Sequence, residues 1–321
     1  MTINFLILFV LLALTIGAGW LTWRAVRAKR LWVKIAGGLG AGLLTLVLAA
    51  VTFLGGKGMA AAYFPGAPSA PDLKVAGTPE QIARGEYLAN ITCVECHGAG
   101  GSGEQPLTGG YDLFAAEGFG FIGQAAPENL TPAGKLANYS DGEIFRVLRH
   151  GVDQDGRLLA LMSGLPIGEM SDEDLQALIA YLRSLPPAST DGPLGDQINF
   201  VGMVFGGAGL VPPVEKRPET ISAPPQGITA EYGKYVATFG DCRGCHGPDM
   251  TGTPASALFE AVPNPRPLVS ELTLEQFVEM MRSGVRPGNN PFPDAMPWES
   301  ASKMTDDDLA ALYAYLTAPV K

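Results

Sequence analysis

The sequence predicts an all-α protein: an N-terminal transmembrane helical hairpin followed by two small helical domains that repeat one another. Three observations predict this. Two charge-free apolar runs near the N-terminus flank a cationic loop, and one order of features then recurs in the second half of the chain. No segment carries a convincing run of alternating strand residues. The reading divides the chain into a hairpin (1–57), a linker (58–77), a first domain (78–187), a Pro/Gly-rich connector (188–225) and a second domain (226–321).

The hairpin comes first. Residues 3–20 (INFLILFVLLALTIGAGW) and 35–56 (IAGGLGAGLLTLVLAAVTFLGG) carry no charge, and each has roughly the 20 apolar residues that a bilayer crossing needs. Between them stand Arg24, Arg27, Lys29, Arg30 and Lys34. Basic loops stay on the cytoplasmic side, so both chain ends are expected on the outer face, with Trp20, Trp23 and Trp32 at the interfaces. A signal peptide fits poorly, because no basic segment precedes the first run and no small-residue cleavage site follows it. A soluble buried hairpin fits poorly with five cations in its connector. Residues 58–80 read as a loop leaving the membrane.

Charge is divided along the chain. Residues 1–57 hold six Lys/Arg and no Asp/Glu, whereas the remainder holds 16 basic and 32 acidic residues. An acidic outer part argues against nucleic acid and for a basic docking partner.

The repeat then unfolds in order. GEY (85–87) precedes CVECH, and GKY (233–235) precedes CRGCH. SDGEIFRVLRHGV (140–152) matches LTLEQFVEMMRSGV (272–285), with capping boxes expected at Ser140/Glu143 and Thr273/Gln276. MSDEDLQALIAYLRSLP (170–186) matches MTDDDLAALYAYLTAP (304–319). Ser171 and Thr305 are the expected N-caps, acids fill the first turns, apolar residues recur at helical spacing, and Pro186 and Pro319 end the helices. Gly85 and Gly233 are placed to pack closely against Tyr181 and Tyr315. In the connector, INFVGMVFGGAGLV (198–211) is apolar but too short to span a membrane. Covering a domain, touching the bilayer and binding a neighbouring subunit all remain open for it.

The four cysteines fall in two motifs, Cys93-Val94-Glu95-Cys96-His97 and Cys242-Arg243-Gly244-Cys245-His246. Paired thiols one helical turn apart, with an imidazole beside the second, suit two thioethers to a haem and an axial iron ligand. CxxCH is the attachment signal of c-type haem. A thioredoxin-like centre would need a βαβ pattern, zinc would have to join pairs about 146 residues apart, and two disulfides would leave the histidines unexplained. With two haems attached, no thiol remains for a disulfide.

For the second axial position, Met162 lies nine residues before Ser171, and Met296 nine before Thr305. Thioether sulfur opposite imidazole is a common ligand pair in electron carriers. Met170 and Met304 also match but sit directly before helix caps, where they read as hydrophobic staples. His150 faces Ser283 in the repeat, which points to a surface or propionate-side role. Arg149 and Arg282 match each other, and either propionate pairing or a solvated face suits them.

On CVECH and CRGCH, the methionine loops and the closing LQALIAYL and LAALYAYL helices, the chain resembles tandem class I cytochrome c domains in a membrane-anchored dihaem form. Through LRHGVDQDGR and MSDEDLQALIAYLRSLPP it is similar to cytochrome subunits of membrane-bound dehydrogenases. The double anchor is similar to cytochromes of quinol-oxidising complexes and haem–copper oxidases. The resemblance implies two covalently bound haem c groups and transfer of single electrons between a membrane-bound complex and a soluble carrier or terminal oxidase. It implies the bacterial inner membrane as the location, with the haem domains on the periplasmic side. Other subunits of the complex and the lipid bilayer would be partners. A dihaem redox enzyme of the peroxidase or thiosulfate-oxidising type is the alternative, and a mainly structural tether is another.

Overall fold

The two apolar runs form helices α1 (Thr2–Val26) and α2 (Gly38–Tyr63), the latter entered through a π turn at Val33–Gly37. Their spans have mean hydropathies of 2.3 and 2.0 and are long and apolar enough to cross a membrane. The seam between them uses small and hydroxylated residues. Thr22 and Thr45 hydroxyls lie 3.0 Å apart, and those of Thr15 and Thr52 3.3 Å. Each of the four also lies within 2.9 Å of the carbonyl four residues earlier. A hydroxyl has one proton, so in each pair one member donates across the seam while the other donates to its own helix. The computed structural model describes residues 1–209, 217–256 and 260–320. Residues 210–216 of the connector, including the last two of its apolar stretch, lie outside these, as do 257–259 and 321 of the expected second domain.

Helix α2 continues six residues into the stretch read from the sequence as a loop. Its last turns, GMAAAY, contain three alanines, the strongest helix formers. The chain is then irregular until the first helical unit begins. That unit holds α3 (Pro79–Thr92), α4 (Val94–His97), α5 (Leu113–Ala116), strand β1 (Gly123–Ala126), α6 (Asp141–His150), α7 (Ala160–Gly164) and α8 (Asp172–Ser184). The connector contributes β2 (Gly195–Ile198) and α9 (Phe200–Gly207). The second unit follows with α10 (Ala230–Phe239), α11 (Cys242–His246), α12 (Arg266–Ser270), α13 (Leu274–Ser283), the short ladder β3 (Val285–Arg286) and β4 (Asn290–Pro291), α14 (Trp298–Ala301) and α15 (Asp306–Thr317).

The local signals work as their chemistry dictates. Reciprocal capping boxes form at Thr78/Gln81, Ser140/Glu143 and Thr273/Gln276. Ser171 and Thr305 accept from the amides of Asp174 and Asp308. Helices α6 and α13 both end on a left-handed glycine, Gly151 at φ 63° and Gly284 at φ 71°. In each unit the first helix crosses the last at a glycine. A Cβ on Gly85 would lie 1.9 Å from the Ala177 carbonyl and 2.7 Å from Tyr181 Cβ; one on Gly233 would meet the Ala311 carbonyl at 1.9 Å and Tyr315 Cβ at 2.8 Å. Met170 and Met304 are fully buried, as the staple reading expects. One buried cluster runs from Leu88, Ile91, Leu175 and Ile179 to Val236, Phe239, Leu309 and Leu312, each large side chain contributing about 1.5–3 kcal/mol.

Two features depart from the helical reading. Strand β1 pairs antiparallel with β2, from Gly123 opposite Ile198 to Ala126 opposite Gly195. Helix α9 docks backbone-to-backbone on the end of α2: a Cβ on Gly58 would lie 1.8 Å from the Met203 carbonyl, and one on Gly207 1.8 Å from that of Leu54. Gly55 accommodates the ring of Phe200 in the same way. Small residues allow this approach. Asn4 completes the joint by donating to Tyr63 Oη and the Ile198 carbonyl, both at 2.9 Å. The connector thus joins the apolar hairpin to the first helical unit.

Candidate haem sites

The first site grows out of the junction of α3 and α4. Cys93 caps α3, and its carbonyl accepts from the His97 amide at 2.8 Å, which places Cys93, Cys96 and His97 on a single turn. The imidazole Nδ1 of His97 lies 2.8 Å from the Glu128 carbonyl. A carbonyl can only accept, so Nδ1 carries the proton and Nε2 keeps its lone pair for a metal. Burial also lowers the pKa of this histidine, which favours the neutral ligand form.

The second site repeats the arrangement. Nδ1 of His246 donates to the Pro263 carbonyl, again at 2.8 Å. The backbone carbonyls of the two histidines accept from Gly109 (2.8 Å) and Gly252 (2.9 Å). Both glycines have positive φ, and a Cβ on either would collide with the loop that carries the histidine's partner or its neighbour. Sequence reasoning missed these supports. Their only trace is a shared Thr-Gly pair, Thr108-Gly109 and Thr251-Gly252.

Cys93, Cys96, His97 and Met162 line one cavity of about 670 Å³. Its walls include Leu130 and Leu178; Lys135 and Arg157 also line it, with Met1, Asn4 and Tyr63 from the hairpin. A mainly apolar slot with two thiols and an imidazole fits a porphyrin; among its charged walls, Lys135 pairs with Glu128 and Arg157 with Asp153 and Asp155. In the second unit Cys242 and Met296 both border the buried cluster, and Cys245 is exposed. Met162 rides on α7, whereas Met296 sits in the turn before α14, its amide donating to the Pro293 carbonyl at 2.9 Å.

The thiols are not built for thiolate chemistry. Burial pushes Cys93 and Cys242 up to about 12 and Cys96 to about 11. Redox-active and zinc-binding cysteines need the opposite shift. Sulfur placed in an apolar wall suits a thioether. Among the described residues no group of three or more His, Cys, Asp or Glu gathers as a metal site.

Two expectations are corrected, for Arg149 and His150. Arg149 is neither solvated nor on the cavity: it is fully buried, donating to the carbonyls of Gly168 and Met170 at 2.7 Å each and to Asp172. Arg282 copies this with the Ser302 carbonyl and with Asp306 at 2.7 Å. Arg149 ties α6 to the start of α8, and Arg282 ties α13 to the start of α15. His150 is buried, not on the surface, and is not among the cavity's lining residues. Sequence reasoning also missed Arg217, whose guanidinium donates to the carbonyls of Arg149, Ser163 and Leu165 and so holds the loop bearing Met162.

Residues 80–182 and 229–316 match the family described as cytochrome c oxidase, cbb3-type, subunit III. The two segments make up more than half of the chain, and the chain belongs to this cytochrome c family, whose members carry covalently bound haem c. It is 35% identical over 102 residues to the cytochrome c subunit of the alcohol dehydrogenase (quinone) of Gluconacetobacter polyoxogenes, covering 28% of this chain and 22% of the relative. It is 29% identical over 121 residues to the fructose dehydrogenase cytochrome subunit of Gluconobacter japonicus (34% and 24%). With the gluconate 2-dehydrogenase cytochrome c subunit of Pantoea cypripedii it shares 30% over 102 residues (27% and 23%). The matched stretch spans less than a quarter of the length of each of these relatives.

Proposed function

We propose that this chain is a membrane-anchored dihaem c-type cytochrome, a subunit of a respiratory or photosynthetic electron-transfer complex. Its tandem class I domains carry single electrons between a membrane-bound quinol-oxidising or dehydrogenase complex and a soluble carrier or terminal oxidase. Cys93, Cys96, His97 and Met162 hold the first haem; Cys242, Cys245, His246 and Met296 hold the second. The observation that carries this reading is the identical support of both histidines: an Nδ1–H bond of 2.8 Å to a loop carbonyl beside a pair of cysteines, made twice.

When bound, the haem irons supply the one-electron redox change. The chain's own residues do the rest. The loop carbonyls fix the tautomer and orientation of each imidazole. Arg217 steadies the sulfur donor of the first site, and Lys135 and Arg157, each paired with a carboxylate on the cavity wall, would have to exchange that partner to meet a propionate. Methionine ligation raises the potential.

The cationic loop between α1 and α2 supports a periplasmic side of the inner membrane for the haem domains. That Met1, Asn4 and Tyr63 line the first cavity supports the first haem as the one beside the bilayer and the membrane-complex partner. The second then faces the soluble carrier, and the acidic outer part favours a basic one. The test is pyridine haemochrome analysis of the full chain purified in mild detergent. Two haem c per chain are expected, falling to one when Cys93 and Cys96, or Cys242 and Cys245, become alanine. A wild-type chain with fewer than two refutes the reading.

A further inference from the structure

The two helical units meet through one arrangement used twice, in opposite directions. Tyr235 on α10 reaches the start of α8, where its hydroxyl donates to Asp174 Oδ2 at 2.6 Å and accepts from the Ser171 amide at 3.0 Å. Tyr87 on α3 reaches the start of α15, where it donates to Asp308 Oδ2 and accepts from the Thr305 amide at 3.0 Å. Ser171 and Thr305 are the caps of those helices, and Asp174 and Asp308 each stand three residues further on. The first helix of each unit therefore grips the last helix of the other. The carboxylates are deeply placed, Asp174 at 7% and Asp308 at 1% exposure.

The symmetry breaks at one residue. Arg84, three before Tyr87, stands where the second unit has Tyr232. Its guanidinium binds Asp174 in a fork, with both distances 2.8 Å. It also lies 5.5 Å from the ring centroid of Tyr87 and 5.3 Å from that of Phe239. One cation from the first unit thus sits against aromatic rings of both.

The haem-attachment helices lie on the same interface. Thr92, just before the first motif, donates to the Phe239 carbonyl. Each motif sends one charged side chain across, from neighbouring rather than equivalent places: Glu95 is the third residue of the first motif and Arg243 the second residue of the other. Glu95 accepts from Ser300 Oγ at 3.1 Å, and Arg243 pairs with Glu169 at 2.6 Å.

We propose that Tyr87, Tyr235 and Arg84 are positioning residues for electron exchange between the two haems. They latch the units into one body and fix the gap between the attachment helices. The proposal rests on the dihaem reading above. The exchange moves one electron and no proton: one iron goes from ferrous to ferric as the other goes from ferric to ferrous. Its rate falls steeply with the gap, so a loosened latch slows it. The latch is unequal, because Asp174 keeps Arg84 when Tyr235 is changed, whereas Asp308 has no arginine fork to fall back on.

The test uses the full, haem-loaded chain in detergent with Tyr87→Phe, Tyr235→Phe, the double variant and Arg84→Gln. Pulsed electron paramagnetic resonance reads the distribution of distances between the ferric haems, and flash reduction reads electron equilibration between them. A hydrogen bond to a charged partner contributes about 10- to 100-fold to an equilibrium. Tyr87→Phe should lower the latched-to-open ratio by that factor, and Tyr235→Phe by less. The double variant should broaden the distance distribution and slow equilibration at least about tenfold, with haem content and both methionine-ligation spectra retained. A double variant with two haems, the wild-type distribution and the wild-type rate overturns the latch while leaving the dihaem reading intact. A wild-type chain lacking the second haem overturns both.

Discussion

Changing Arg149 and Arg282 in turn to methionine asks one question of one motif at two depths. The side chain of Arg149 is 0% exposed and its partner Asp172 23%; the values for Arg282 and Asp306 are 34% and 82%. Arg149→Met strips two buried carbonyls and a half-buried carboxylate of their donor. Breaking a buried, hydrogen-bonded ion pair from one side costs about 3–5 kcal/mol. In Arg282→Met the pair is mostly solvated and worth at most about 1 kcal/mol, with one carbonyl bond to add about as much. A guanidinium titration of the haem-loaded chain, followed by the methionine–iron absorption, reads the difference. With a slope of about 4 kcal/mol per molar, Arg149→Met should move the first domain's midpoint by roughly 1 M, and Arg282→Met the second's by half that or less. The carbonyls freed by Arg149→Met lie between the loop carrying Met162 and the cap of α8, so sulfur ligation should be lost before the helices melt. Equal shifts for the two variants would refute the claim that burial sets the worth of this pairing.

Other outcomes follow from the same geometry. Met162→Ala and Met296→Ala should each lower the potential of a different haem in a redox titration, because each removes one sulfur donor; two unchanged potentials would overturn the ligand assignment. Gly85→Ala and Gly233→Ala each drive a Cβ to within 1.9 Å of a carbonyl on the last helix, and thermal unfolding should show about 1–3 kcal/mol lost in each case. His150 has its pKa lowered by burial first, then by Arg149, Arg217 and Arg146, with Glu219 opposing. The unfolded chain therefore binds this proton near pH 6.5 while the folded chain does not, and stability falls as pH drops below about 6.5. His150→Gln should flatten that slope in unfolding measured between pH 7 and 5; an unchanged slope would assign it to other groups.

The hairpin, the caps at Ser140, Ser171, Thr273 and Thr305, and the glycine crossings at Gly85 and Gly233 were legible because each signal lies within a few residues of the chain. The same is true of the cysteine–histidine motifs, whose spacing is set by a single helical turn. What escaped depends on distant partners. Strand β1 finds β2 some 70 residues later, and four residues carry no periodicity to announce it. The burial of Arg149 depends on carbonyls about 20 residues on, and a guanidinium reads the same in water as in a core. Nothing local marks Gly58 or Gly207, although each is small so that another backbone can touch it. Two copies of one motif disclosed what they share, but not that they clasp each other.

The docking of α9 onto α2 bears on how this chain can be handled. Cutting away the first 63 residues to obtain a water-soluble fragment would leave Phe200 and Met203 facing solvent and the glycine surface of α9 bare. The same cut would remove Met1, Asn4 and Tyr63 from the wall of the first cavity. Such a fragment should clump and hold its first pigment loosely. Fragments meant to stay in solution should begin beyond α9, at the second helical unit, and carry polar replacements where Tyr87 and Arg84 had covered it.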